Sequence, residues 1–261
     1  MVALWQVTRA SDRASVSVPN FRDWQTDARS FGAMATFRGG PTTVLGGTEP
    51  TRADVYLVSG DFLRVLGATP VVGRTFLPDD SRPGSAHVAV VSAAFWRRML
   101  GAGELTGRRV ELVGRVFDVI GVMPDEAVFP ERAEVWIPRE LFDGGDGRDG
   151  LNESVIARLA PNSTRSRAQQ EMSTIAARLR RDHPQDNPAF DVCVVNLQRD
   201  LIGDVRDYLR LLFGAVMFVL LVAAVNLASA SLARGTARGR EMAIRLALGA
   251  TTRGSQPFHD F

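Results

Sequence analysis

The residues that could do chemistry are defined first by an absence. All 31 basic residues of this 261-residue chain are Arg, and Lys does not occur. A phosphate-binding loop of the GxxxxGK[ST] type needs its Lys to reach the phosphates, and Schiff-base chemistry needs a Lys amine. The chain is therefore not itself a standard P-loop ATPase or a pyridoxal enzyme. A single cysteine, Cys193, permits neither an intrachain disulfide nor a cysteine-based zinc site. It lies in the alternating stretch 190–195, where it reads as a small buried hydrophobe. His87, His183 and His259 share no metal-ligand spacing.

Three glycine- or acid-rich stretches resemble known sites and fail on physical grounds. Residues 144–152 (GGDGRDGLN) match the calcium-binding nonapeptide letter for letter. Such sites form between stacked repeats, and here there is one copy, so a surface loop is expected. Residues 101–107 (GAGELTG) resemble a dinucleotide loop but carry one residue too many and follow a helical pattern rather than a strand. Asp79 and Asp80 sit among arginines, as on a solvated surface. Asn152-Glu153-Ser154 and Asn162-Ser163-Thr164 are glycosylation sequons by letter only. Neither GxSxG nor HExxH occurs. The residues point away from an enzyme, and no cofactor is called for.

Thirty-one basic and 29 acidic residues leave a net charge of +2, too balanced for a chain that coats nucleic acid. An apolar content of 45% is that of a folded protein. One segment breaks the soluble pattern. Residues 211–233 (LLFGAVMFVLLVAAVNLASASLA) carry no charge and are bounded by Arg210 and Arg234. As a helix they span about 34 Å, enough to cross a hydrocarbon core of ~30 Å. Arg234, Arg238, Arg240 and Arg245 follow, opposed only by Glu241, which puts the C-terminal side in the cytoplasm and the N-terminal domain outside it. Ala224, Ala228, Ser231 and Gly235 fall on one helical stripe, where small side chains admit a second helix. Asn226 lies on the opposite face, and a polar amide in lipid favours a protein neighbour. Beyond the span, residues 240–250 (REMAIRLALGA) read as a short amphipathic helix. Glu241 and Arg245 pair at i,i+4, and Gly249 stops it. That helix suits the membrane interface or a cytoplasmic partner.

The elements that must carry the outer part read as α+β. A helix is expected over 19–29, and strand pieces over 33–37 and 42–45, broken by Gly39-Gly40-Pro41. Residues 55–67 and 88–101 each read as strand, Ser N-cap, short helix and Gly stop. Residues 109–113 and 115–122 form a hairpin about Gly114. Short strands follow at 134–138 and 154–159. Ala168, Met172, Ile175, Ala176 and Leu179 mark a helix over 164–181, and residues 190–197 form a last strand. The expected domain has two lobes of βα units and hairpins, with its sheet covered on one side.

Four passages in this order resemble an ABC transporter permease of the MacB/FtsX-like kind, in its duplicated orphan-permease branch. They are 18–24 (VPNFRDW) with Ser30-Phe31; Val58-Ser59 through Phe62, Leu66-Gly67, Pro70 and 73–76 (GRTF); Val90-Val91-Ser92, Trp96, Gly107 and 119–124 (VIGVMP); and the apolar span with 237–250 (ARGREMAIRLALGA). The resemblance implies a periplasmic core domain over 1–205, a transmembrane helix over 206–233, a cytoplasmic coupling helix over 234–250 and a divergent tail over 251–261. It implies a separate cytoplasmic ABC ATPase that uses the ATP, a permease homodimer or pseudo-dimer in the inner membrane, and coupling through Arg240, Glu241 and Arg245. The residues also leave room for a non-transport module that relays to an envelope protein. Residues 1–12 lack the apolar region of a signal peptide, and the family places a helix before the core domain and more after the coupling helix. A gene fragment is therefore expected.

Overall fold

The computed structural model describes residues 1–45, 50–82, 84–112, 114–127, 129–142, 147–200 and 209–229. The chain divides into two compact units, Met1–Leu201 and Ile202–Phe261. In the first unit the elements run β1 (Val2–Val7), α1 (Val18–Asp27), β2 (Phe31–Leu45), β3 (Thr51–Val58), α2 (Phe62–Leu66), β4 (Val72–Gly73), β5 (Val88–Ser92) and α3 (Ala93–Leu100). They continue as β6 (Arg109–Leu112), β7 (Arg115–Met123), β8 (Val135–Pro138), β9 (Ser154–Leu159), α4 (Arg165–Asp182) and β10 (Asp191–Asn196). The strands form one mixed sheet in the order β10-β1-β9-β2-β3-β8-β5-β7-β4, with β6 bridging β2 and β7. Among the described residues only β3–β8 and β5–β7 pair in parallel. The fold is α+β, as the sequence predicts.

Period-two alternation assigns the two faces of the sheet. On one face Val2, Leu4, Met34, Val155, Ala157, Val192 and Val194 pack under α1 and α4. Further along the sheet Val55, Ala89, Val91, Val119, Val135 and Ile137 pack with Phe95, Trp96 and Leu100 of α3. These two clusters lie toward the two ends of one sheet within a single compact unit. The intervening residues, Ala3, Ala35, Val58, Val90, Trp136 and Ile156, form a third cluster with α2. The sheet is thus covered on both faces, not one. The five residues of α2 suffice because Phe62, Leu63 and Val65 are all buried.

Local sequence sets the helix ends. The Ser92 hydroxyl accepts from the backbone N–H of Phe95 at 3.1 Å, and Gly101 takes a left-handed φ of 73° after α3. Thr164 caps α4 in the same way, and α4 buries Ala168, Met172, Ile175, Ala176 and Leu179. Ser59 departs from its expected role. Its hydroxyl turns back to the N–H of Thr36 at 3.1 Å, tying β3 to β2, and α2 has no side-chain cap. The pieces expected at 33–37 and 42–45 are one 15-residue strand. Gly39 does not break it: a Cβ there would lie 2.1 Å from the Val55 carbonyl, so the glycine permits close strand approach. Pro41 falls where β2 has one neighbour, after pairing with β9 ends at Phe37 and before pairing with β6 begins at Val44.

Candidate functional site

In the second unit the structure describes one helix, α5, over Leu209–Ser229. Its most apolar 18-residue stretch has a mean hydropathy of 2.6, and none of that stretch is buried. Phe213, Phe218 and Val219 are each about two-thirds exposed. At 1.5 Å per residue the helix is about 32 Å long, the thickness of a bilayer core. An apolar surface of this size is unfavourable in water and is satisfied by lipid or by other helices. Ala224 and Ala228 lie one turn apart on it, with Asn226 on the opposite side. Ser229 donates its hydroxyl hydrogen to the Val225 carbonyl at 2.8 Å, so its polar group is satisfied within the helix. Ser231, Gly235, Arg240, Glu241 and Arg245 lie outside the described residues.

The first unit holds its surface with carboxylate clamps. Burial pushes the Glu171 carboxyl upward, but hydrogen bonds from the Ser30 side and the backbone N–H groups of Arg29 and Ser30 outweigh it and hold the group below its ordinary value. Asp80 behaves alike: burial raises it, and Arg74 with the Leu77 N–H lowers it further. The Arg97 guanidinium holds Asp125 low, and Asp125 also accepts from the N–H of Ala94 in the first turn of α3. One acid is fully enclosed. Glu153 has no exposed surface and faces Arg38 at 3.4 Å and Arg139 at 3.9 Å.

A cleft of about 850 Å³ opens beside the start of β10. Arg9, Arg148 and Arg180 on its walls are offset by Asp149 and Asp186, so its charge selects no ligand sign. Arg148 is committed inward, at 2.6 Å from both Asn20 Oδ1 and Asp23 Oδ2, and Asn20 in turn donates to Asn187. Residues 147–152 are the described part of the calcium-like loop, and within them a turn over 147–150 is closed by the Gly150 N–H to the Gly147 carbonyl. Among the described residues no three acids, histidines or cysteines converge as metal ligands. His87 stacks on Phe117, while His183 lies 4.0 Å from Asp186. Cys193 is half-buried rather than in the core, because Val192 and Val194 take the inward positions of β10.

Two features of this unit have no counterpart among the elements and residues expected from the sequence. The first is β1, which sits between β10 and β9 in the sheet. Val2, Ala3 and Leu4 are buried in succession, so residues 1–12 carry no alternation of apolar with polar residues. The second is Asp200, which joins Trp5 and Arg13 across 195 and 187 positions of sequence. No local pattern announces such a pair.

The family model for the MacB-like periplasmic core domain matches residues 2–175. The chain belongs to that family. The periplasmic region of MacB from Actinobacillus actinomycetemcomitans is similar in structure, with a TM-score of 0.57 at 14% identity over 79% of this chain and 92% of that one. The extracellular domain of the ABC-type transporter YknZ from Gram-positive bacteria aligns with a TM-score of 0.55 at 16% identity, over 75% and 99% of the two chains. A domain of a putative permease protein from Porphyromonas gingivalis gives 0.50 at 15% identity, over 74% and 85%. At these identities the likeness is one of fold. No curated protein matches the chain. The MacB-like core is thus a periplasmic-type domain of an ABC transporter permease family, and here one membrane-length helix follows it in the same chain.

Proposed function

We propose that the chain acts as part of a permease subunit of a MacB-like ABC transporter. In this reading a separate cytoplasmic ATPase hydrolyses ATP, and the permease passes the resulting motion through its membrane helices to the outer domain. The outcome is export or mechanical signalling, not group transfer by this chain. The core domain lies outside the cytoplasmic membrane and the C-terminus inside it. Two permease chains pair as a homodimer or pseudo-dimer, and Arg240, Glu241 and Arg245 meet the ATPase. The supporting observation is a MacB-like core domain joined in one chain to an apolar 21-residue helix with no buried surface. The arginine excess after that helix supports the orientation.

The test is co-purification of the full chain from membranes with its native ABC ATPase, followed by ATP turnover. Reversing Arg240 and Arg245 to Glu is expected to abolish co-purification while membrane insertion persists. Retention of the ATPase by the doubly reversed chain would remove those residues from the interface. Failure of the native chain to retain any ABC ATPase would overturn the transporter reading.

A further inference from the structure

We infer that Asp200 is a positioning residue: it clasps the segment leading to α5 onto β1, and so gives motion of the membrane helix a fixed point of entry into the sheet. This rests on the coupling function proposed above and names the residue through which the outer domain would receive the motion.

The chain leaves β10 at Asn196 and continues in helical conformation over 197–200. Leu197 is 7% exposed and belongs to the cluster that also holds Ala3, Ala35 and Ile156. Its N–H reaches the Met1 carbonyl at 3.3 Å. Three residues on, the Asp200 side chain is 8% exposed. Its Oδ2 accepts from the Trp5 indole N–H at 2.9 Å, and its Oδ1 lies 3.0 Å from an Arg13 guanidinium nitrogen. A carboxylate so enclosed is costly unless partners meet it, and here Oδ2 takes the neutral indole N–H while Oδ1 faces the charge of Arg13 as an ion pair. Trp5 is in the middle of β1, paired with Cys193 of β10. Arg13 is in the following loop, which the Gln6–Ala14 backbone bridge fastens back to β1. Asp200 therefore links three parts of the unit: the exit segment, a strand with partners on both sides, and a fastened loop. The covalent path from α5 into the first unit passes through it. Other carboxylate clamps on this unit, Glu171, Asp80 and Asp125, join parts of the core domain to each other. Asp200 is set apart by its place at the end of the unit, next to its boundary at Leu201.

The experiment uses the full chain in lipid nanodiscs with fluorinated tryptophan. The Trp5 resonance is assigned by its loss in Trp5→Phe. Helix tilt is varied without an ATPase, by assembling discs from short-chain or long-chain phosphatidylcholine, since a helix answers hydrophobic mismatch by tilting. In the native chain the Trp5 resonance is expected to move with lipid length. In Asp200→Ala it is expected to sit at one position in both lipids. Arg13→Ala on the Asp200→Ala background is expected to add nothing. Amide exchange over residues 197–200 is expected to rise about ten- to a hundredfold in Asp200→Ala, the size of losing a hydrogen bond to a charged group. Exchange in α4 is expected to stay unchanged, which separates a clasp from general destabilisation. The inference is overturned by a native Trp5 resonance blind to lipid length, by equal movement in Asp200→Ala, or by faster exchange spread evenly through the domain. The coupling function fails separately, by the absence of ATPase co-purification. A lipid-sensitive Trp5 in that case leaves the clasp standing as a mechanical link.

Discussion

Gln169 offers the sharpest test of how this domain protects its sheet. β10 is the last strand on its side, and an open edge invites pairing with another chain. The Gln169 side chain closes that edge from α4. Its Nε2 donates to the Val192 carbonyl at 2.5 Å, and its Oε1 accepts from the Val194 N–H at 2.8 Å. One amide side chain thus stands in for a stretch of neighbouring strand. Gln169→Ala removes both bonds. A net hydrogen bond is worth about 1 kcal/mol, so the loss is about 2 kcal/mol. The side chain is only half-buried, so water replaces the lost partners and the full penalty for an unsatisfied buried group does not apply. For a unit of this size 1 kcal/mol moves Tm by about 2–4 °C, so Gln169→Ala should lower it by roughly 4–8 °C. Gln169→Glu keeps an acceptor for Val194 but sets a carboxylate oxygen against the Val192 carbonyl, so it should not recover the loss. The assay is thermal unfolding of the full chain in detergent, followed at several protein concentrations by light scattering for aggregation. An unchanged Tm for Gln169→Ala would refute the edge-closing role.

Other outcomes follow from the same geometry. Glu153→Ala should cost about 3 kcal/mol or more, because Arg139 is 5% exposed and loses its buried counter-charge; urea unfolding of the full chain measures it. Glu171, Asp80 and Asp125 are held below their ordinary values, so they contribute stability above 4.5 for Glu and 3.8 for Asp, and that contribution is lost as pH falls through the lower folded values. Unfolding midpoints should therefore decline below about pH 4.5 in the native chain, and less steeply in Glu171→Gln. Val219→Arg, near the middle of α5, should oppose membrane insertion by about 2.5–3.5 kcal/mol; carbonate extraction should release more of it than of the native chain.

What the sequence disclosed and what it hid divide along the range of the interactions. The buried stripe of α4 was legible because its partners recur at helical spacing within 18 residues. Ser92 was legible for the same reason, since a cap needs only the N–H three residues ahead. Ser59, in an almost identical setting of strand and short helix, was not. Its hydroxyl is taken by Thr36, 23 positions earlier, and only the β2–β3 pairing brings the two together. Gly39 and Pro41 carry the marks of a turn, yet each sits inside β2. There the close approach of Val55 and the missing second neighbour of the strand decide what fits. β1 was hidden differently. A strand covered on both faces of the sheet has no polar face to set its period against, and Val2, Ala3 and Leu4 are buried in succession. The functional residues follow the same rule. A charge-free run identifies α5 through a property summed along the chain. Asp200 depends on a strand and a loop some 190 positions away, so one carboxylate among 29 acids has nothing local to mark it. The places where local reading fails are those where distant segments are joined.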